Sequence, residues 1–517
     1  MADKRPDVLL IILDTTRRDR LSSYGYPRQT SPHFDTFAQK ATLFERAIAP
    51  AQWTVPSHAS MFTGVYPSTH QLTQAGERLS GSYPTLAEIL QVEGYRTAAF
   101  CNNPLVGVLD NGLQRGFGEF YNYAGAAPNR PDDLHKSQVR KAVARRWRRF
   151  ASRVSNTFAH SDWMFRTALH PRFAPLWTRY INYKGDTARS IDDLIGVFSQ
   201  HRAGGRQQPL FAFLNLMGAH MPYHPPQDYL DRFAPEISRD PAALRFMRSF
   251  NADAARWASP TDPPLTEWQQ AVIDGFYTAE VAYQDYHLGR LLNMLRTSGA
   301  LDDTLVLITA DHGEGHGDHQ FFGHSFVVYQ ELVHVPLAIH YPDRFPAGIR
   351  ATTNISTRRI FHTVLESVGI RPPLDEADPN ANISGLTLAR ATNGVPDIEG
   401  GLVFAEAFPP MTMVKTIQHR APALIERLRL TQVRRGVYLD ARKLAVVGGQ
   451  AEGYFDLQDD PSEMHDLSGQ HSAEVAALQA IIGQFVAAAQ QQRPESIADA
   501  PVSEDVLDNL RALGYIE

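Results

Sequence analysis

Apolar residues along this 517-residue chain gather in four short runs that lack strict alternation and that each stop at a polar residue. The runs are DVLLIILD, ending at Asp14; TAAFCNN, ending at Asn103; PLFAFLNLMGAH, ending at His220; and TLVLITADH, ending at Asp311 and His312. Short runs of this kind predict strands buried on both faces, as in a parallel sheet covered by helices. Open sheets of that type bind ligands at the carboxyl ends of their strands. The five terminal residues are therefore expected to meet in one crevice, although hundreds of residues separate some of them along the chain. The expected fold is α/β, with a large, mostly parallel central sheet flanked by helices.

A fifth segment, TVPSHASMFTG from Thr54 to Gly64, places a hydroxyl just before Pro56, and the residues from Ser57 to Phe62 can start a helix. Proline is favoured in a first helical turn, and a hydroxyl there can cap free backbone N–H groups. Those N–H groups and the helix dipole attract an anion. Thr54 is thus expected to face whatever phosphate-like group the site holds.

Later in the chain, the strand VPLAIHY and a helix over 360–368 precede a loop-rich passage over 371–399. Short strands at GLVFAEA, RGVYLD and RKLAVV, then a helix from Ser472 to Gln491, predict a smaller C-terminal α+β subdomain over 401–517, beside a catalytic domain over 1–400. One insertion interrupts the larger unit near 124–183. It carries Arg145, Arg146, Arg148, Arg149 and Arg153 around Trp147 and Phe150, the pattern of a basic amphipathic helix. A solvated insertion is the plain reading; a lid, a contact for an anionic substrate and a membrane-surface anchor are the functional ones.

The motifs as a set resemble the sulfatase-like branch of the alkaline phosphatase superfamily. They are D-T-x-R-x-D with a following Y-G-Y (Asp14 to Tyr26), T-V-P-S-x-A-S, H-x-P-Y-x-P-P (His220 to Pro226), and D-H-G-E with G-H (Asp311 to His324). YTAEVAYQDYHLGRLL and YFDLQDDPSE resemble that family's connecting helix and C-terminal signature. The departure from the family pattern is equally informative. Most sulfatases carry Cys-x-Pro-x-Arg, whose cysteine becomes formylglycine; here the two positions are Thr54 and His58, and the single cysteine, Cys101, lies elsewhere. A threonine ester of sulfate lacks the exit route that a formylglycine hydrate has, so the resemblance implies phosphoryl transfer through a phosphothreonine.

A free threonine hydroxyl is a poor nucleophile at neutral pH, and coordination to a divalent cation lowers its pKa. Asp14, Thr54, Asp311 and His312 are the expected metal contacts. Oxygen donors with one imidazole suit Mn²⁺, Zn²⁺ or Mg²⁺, and tolerate Ca²⁺. Asn103, His220 and His324 are the expected substrate contacts, with one of the two histidines, protonated, as general acid beside the nucleophile Thr54. His316 and His319, next to glycines in DHGEGHGDH, read as solvated loop histidines rather than a second metal site.

Length excludes a single small core, and a net charge of −6 carries no nucleic-acid signature. The first apolar run is short and ends in an aspartate, so it reads as a strand rather than a signal peptide. No segment is expected to reach the apolar length that crosses a bilayer. The cytoplasm is the expected compartment, and an anionic small-molecule ester is the expected partner, with homo-oligomerisation open. The reading is a metal-dependent phosphoester hydrolase acting on a monoester, diester or phosphonate. The alternatives are a phospho-group transferase in metabolite or glycan assembly, and a non-catalytic binding protein.

Overall fold

The structure is a computed structural model that describes residues 5–124, 128–131, 184–253, 260, 263–370, 383–392 and 395–493. The basic insertion, apart from its edges, and the C-terminal LDNLRALGYIE lie outside the described residues.

The main sheet is built from β1 (Asp7–Leu13), β2 (Thr42–Ile48), β3 (Arg96–Cys101), β4 (Glu119–Asn122), β5 (Leu210–Leu216), β6 (Thr304–Thr309), β7 (His334–His340), and the two-residue strands β8 (Arg350–Ala351) and β9 (Ile355–Ser356). Its order is β8-β2-β7-β6-β1-β5-β3-β4, with β9 also on β2. The four runs legible in the sequence form the parallel centre, β6-β1-β5-β3. Every residue of β1, β5 and β6 is buried, which is why these strands read as unbroken apolar runs. Strand β7 runs antiparallel to both β6 and β2.

Register sets the site. Ile12 of β1 pairs with Asn215 of β5 on one side and Thr309 of β6 on the other. Asp14 and Asp311 each lie two residues beyond that level, so the two carboxylates emerge at the same height. Helices cover both faces, the longest being Glu267–Thr297, which starts with a capping box between Thr266 and Gln269.

A second, four-stranded antiparallel sheet follows, made of β10 (Val403–Ala407), β11 (Arg434–Leu439), β12 (Arg442–Val447) and β13 (Gln450–Asp456). The helix Ser472–Gln491 covers it with Val475, Leu478 and Ile482, and the Phe485 ring stacks on Phe404. This helix corrects one expectation. By length and composition it is long and apolar enough to cross a membrane, and half of its exposed positions are alanine. The sheet reaches the crevice through β10, where the Glu406 N–H donates to the Pro50 carbonyl, four residues before Thr54.

Candidate active site

Both carboxylates are fully buried, and each uses one oxygen and leaves the other bare. Asp14 Oδ2 accepts from Asn103 Nδ2 at 2.7 Å and Asn215 Nδ2 at 3.1 Å. Asp311 Oδ1 accepts from the backbone N–H of Thr15 at 3.3 Å and of His312 at 3.0 Å. Among the described residues, Asp14 Oδ1 and Asp311 Oδ2 have no hydrogen-bond partner, although His312 Nε2 and His58 Nδ1 lie 3.4 and 3.5 Å from Asp311 Oδ2. The Thr15 donor reaches Asp311 because Thr15 sits in the left-handed region, at φ 56°. For a β-branched residue this costs roughly 1–3 kcal/mol, and such strain collects at functional sites. Tyr277 of the long helix holds the strained turn, donating its hydroxyl to the Thr15 carbonyl and accepting from Arg17 N–H, both at 2.8 Å.

Thr54 opens the helix Thr54–Thr63, and every residue of that helix is buried. The helix starts earlier than the sequence suggested, with Trp53 at the N-cap and no side-chain cap. Thr54 therefore does not cap. Its Oγ1 lies 3.3 Å from His312 Nε2 and 3.4 Å from Asn103 Nδ2. Ser57 ties the same helix to β6, donating to the Asp311 carbonyl at 2.7 Å. Asn103 serves as both turn former and site residue, since its Oδ1 caps Leu105 N–H while its amide nitrogen faces Asp14 and Thr54.

Three imidazoles line the other side. The His312 and His324 ring centroids are 4.5 Å apart, and those of His324 and His220 5.1 Å. Burial pushes the pKa of His312 and His220 well below the usual imidazole value, and the neighbouring His324 adds to this. Burial also opposes charge on His324, yet the Glu314 carboxylate, 2.7 Å from Nδ1, holds its pKa above the ordinary value, with help from Asp14. Of these three histidines, His324 is thus the one whose surroundings favour the charged form.

The arrangement fits a divalent cation. One oxygen of Asp14, one of Asp311 and one nitrogen of His312 lie within 4.8 Å of one another, all buried. His312 Nδ1 is 2.8 Å from the Gly313 carbonyl, which fixes the proton there and leaves Nε2 as a lone-pair donor. Burial raises the pKa of Asp14 to about 6 and that of Asp311 well above the carboxylate range, with Asp14 repelling the latter. Two buried carboxylate oxygens beside an imidazole nitrogen that, among the described residues, meets only the Thr54 hydroxyl and Asp311 Oδ2 form an acceptor-rich pocket, the complement of a hard cation.

All seven residues picked from the sequence, Asp14, Thr54, Asn103, His220, Asp311, His312 and His324, converge here. Four residues of the site were not picked: Asn215, a lone amide inside LFAFLNL; Thr15; Glu314; and His58, which stands at the arginine position of the family pattern. His58 is fully buried, and burial lowers its pKa to about 4, so it is neutral where arginine would be charged. His316 is buried and His319 half-buried, so neither is a freely solvated loop histidine. His316 Nδ1 is 2.7 Å from Asp274 Oδ1, and the His319 ring stacks on Tyr329 at 3.7 Å with Nδ1 2.9 Å from Glu331. Cys101 is buried in β3 with its thiol donating to the Asn103 carbonyl.

Comparison with known proteins bears on the family and the fold. The family model described as sulfatase matches residues 6–370. The N-acetylglucosamine-6-O-sulfatase of Bacteroides thetaiotaomicron is 23% identical over 415 residues, covering 72% of this chain and 69% of its own length. The arylsulfatase of Clostridium perfringens is 23% identical over 399 residues, covering 72% and 74%. Among solved structures, the phosphonate monoester hydrolase of Agrobacterium radiobacter superposes with a TM-score of 0.64 over 97% of this chain and 99% of its own, at 23% identity.

Proposed function

The chain belongs to the sulfatase family, and on that premise we propose that it is a metal-dependent phosphoester hydrolase that works through a covalent phosphothreonine at Thr54. As a family member it is a hydrolase of sulfate or phosphate esters. The choice of phosphate rests on one observation: the position facing the metal cluster holds a threonine, and the single cysteine is buried elsewhere.

Asp14, Asp311 and His312 would hold a divalent cation, which would supply Lewis acidity that lowers the pKa of a nearby hydroxyl and offsets charge on the transferred group. Thr54 loses its proton to solvent and its Oγ1 attacks phosphorus, forming the new P–O bond as the bond to the leaving oxygen breaks. Asn103 Nδ2 directs an N–H at the charge that develops. His324, held protonated through Glu314, gives its Nε2 proton to the leaving oxygen. In the second half His324 takes a proton from water as that water attacks phosphorus, and Thr54 leaves and recovers its proton. Neutral His220 positions the ester oxygens beside His324.

The phosphonate monoester hydrolase named above supports a phosphoryl-type substrate; the curated relatives carry sulfatase names, so the two chemistries must be separated by experiment. During turnover of an aryl phosphate ester labelled with radioactive phosphorus, acid quench and proteolysis should recover the label on the peptide that contains Thr54. A burst of product with no label on that peptide would remove the covalent step.

A further inference from the structure

We infer that His58 and Asn215 form a hydrogen-bonded lock that aims Asp14 at the metal cluster, which makes both of them positioning residues. The inference rests on the reading of Asp14 as a metal ligand. Proton accounting fixes the lock. His58 Nδ1 lies 2.9 Å from the Thr54 carbonyl, a group that can only accept, and 3.5 Å from Asp311 Oδ2. Nδ1 must therefore carry the hydrogen, and Nε2 is left as an acceptor. Asn215 Nδ2 sits between that acceptor, at 3.4 Å, and Asp14 Oδ2, at 3.1 Å. Both neighbours demand a donor, so the amide nitrogen gives one hydrogen to each and the amide cannot flip.

The consequence falls on Asp14. Its Oδ2 takes hydrogens from Asn103 and Asn215, while Oδ1 is buried and bare. Two donors on one oxygen fix the carboxylate plane and leave a single face for a cation. His58 also binds the Thr54 carbonyl, so the same ring sets the nucleophile against the ligand. The ring itself is held edge-on by Phe62 and Phe213, with centroids 5.9 Å away in both cases. A group that orients a metal ligand from outside the coordination sphere is worth about 10–100-fold in metal affinity.

Mn²⁺ binding to the metal-free full-length protein, measured by calorimetry, tests this with wild type, Asp14→Asn, His58→Phe, Asn215→Ala, and the His58→Phe/Asn215→Ala double variant. His58→Phe preserves the ring and removes both nitrogens. Each single change of His58 or Asn215 is expected to weaken Mn²⁺ binding about 10–100-fold, and the double variant to lose no more than the worse single one, because the two act in series. His58→Gln, whose side-chain oxygen can still accept from Asn215, should recover part of the loss. Affinities equal to wild type in both single variants, or losses that multiply in the double, would overturn the lock. Failure of the ligand reading is separate: it appears as wild type without a Mn²⁺ site, or as Asp14→Asn binding like wild type. An independent readout does not depend on metal binding. Two-bond nitrogen–proton NMR correlations of histidine-labelled protein should include a buried ring protonated at Nδ1 that disappears in His58→Gln; an Nε2-protonated His58 would contradict the proposal.

Discussion

Thr54→Ala should lower turnover of the metal-loaded protein by at least about a thousand-fold, in the range seen when a nucleophile is removed from a covalent mechanism. The fold should survive. Thr54 donates no hydrogen bond that the helix Thr54–Thr63 needs, and the turn before it is held by Trp53 and by Ser57 on the Asp311 carbonyl. Metal content should therefore stay near that of wild type. Thr54→Ser should retain part of the activity, since the hydroxyl remains and only the methyl that fixes its rotamer is lost. Steady-state kinetics beside elemental analysis checks both statements, and near-wild-type turnover in the alanine variant would end the covalent account.

The second large effect concerns the cation. Asp311→Asn should weaken divalent binding by more than about 100-fold, because the loss of an outer-shell partner already costs about 10–100-fold, and an amide is a weaker donor to a hard ion than a carboxylate. Stability should move the other way in metal-free protein. Burial raises the pKa of Asp14 and Asp311 in the folded state, so the fold binds more protons than the unfolded chain, and metal-free stability falls as pH rises from the unfolded carboxylate value through the raised ones. Ionising both groups without a cation sets one buried carboxylate against the other. Metal-free Asp311→Asn should then melt higher than metal-free wild type at pH 7, with the gap closing near pH 4. Thermal unfolding with and without chelator reads this directly, and a metal-free variant that melts lower at pH 7 would contradict the electrostatic reading.

The parallel centre of the sheet and the groups at its strand ends were legible because burial on both faces writes strands as apolar runs, and a run that ends at Asp14 or Asp311 ends where the sheet meets solvent or ligand. Strands β2 and β7 were harder. TLFERAI carries charged residues at an edge region, and the antiparallel direction of β7 depends on how the chain returns, not on any local pattern. The helix of Thr54 was visible from Pro56, but its start was misplaced, since the residue that sets it, Trp53, is not a capping type. Asn215 was hidden by its neighbours: one amide within an apolar strand is indistinguishable from a tolerated polar position until register places it opposite Ile12 and beside Asp14. Thr15 gave no signal because a left-handed threonine is imposed by Tyr277 and Asp311, which lie more than 250 residues away in sequence. His58 was legible only as a departure from the family arginine, and its role depended on which of its nitrogens met an acceptor.

The central claim is that the site transfers a phosphoryl rather than a sulfuryl group. Formylglycine cannot form at Thr54, so the enzyme ester must be broken by attack at the central atom. A His324 whose charged form is favoured by Glu314, and a cation held by Asp14, Asp311 and His312, would favour the more highly charged phosphate. The most direct measurement is kcat/KM of the Mn²⁺-loaded wild type on aryl phosphate monoester, phosphate diester, phosphonate and sulfate substrates that share one leaving group. Faster turnover of a phosphate or phosphonate ester than of the sulfate is the expected result; sulfate cleavage that outpaces every phosphorus ester would contradict the phosphothreonine mechanism.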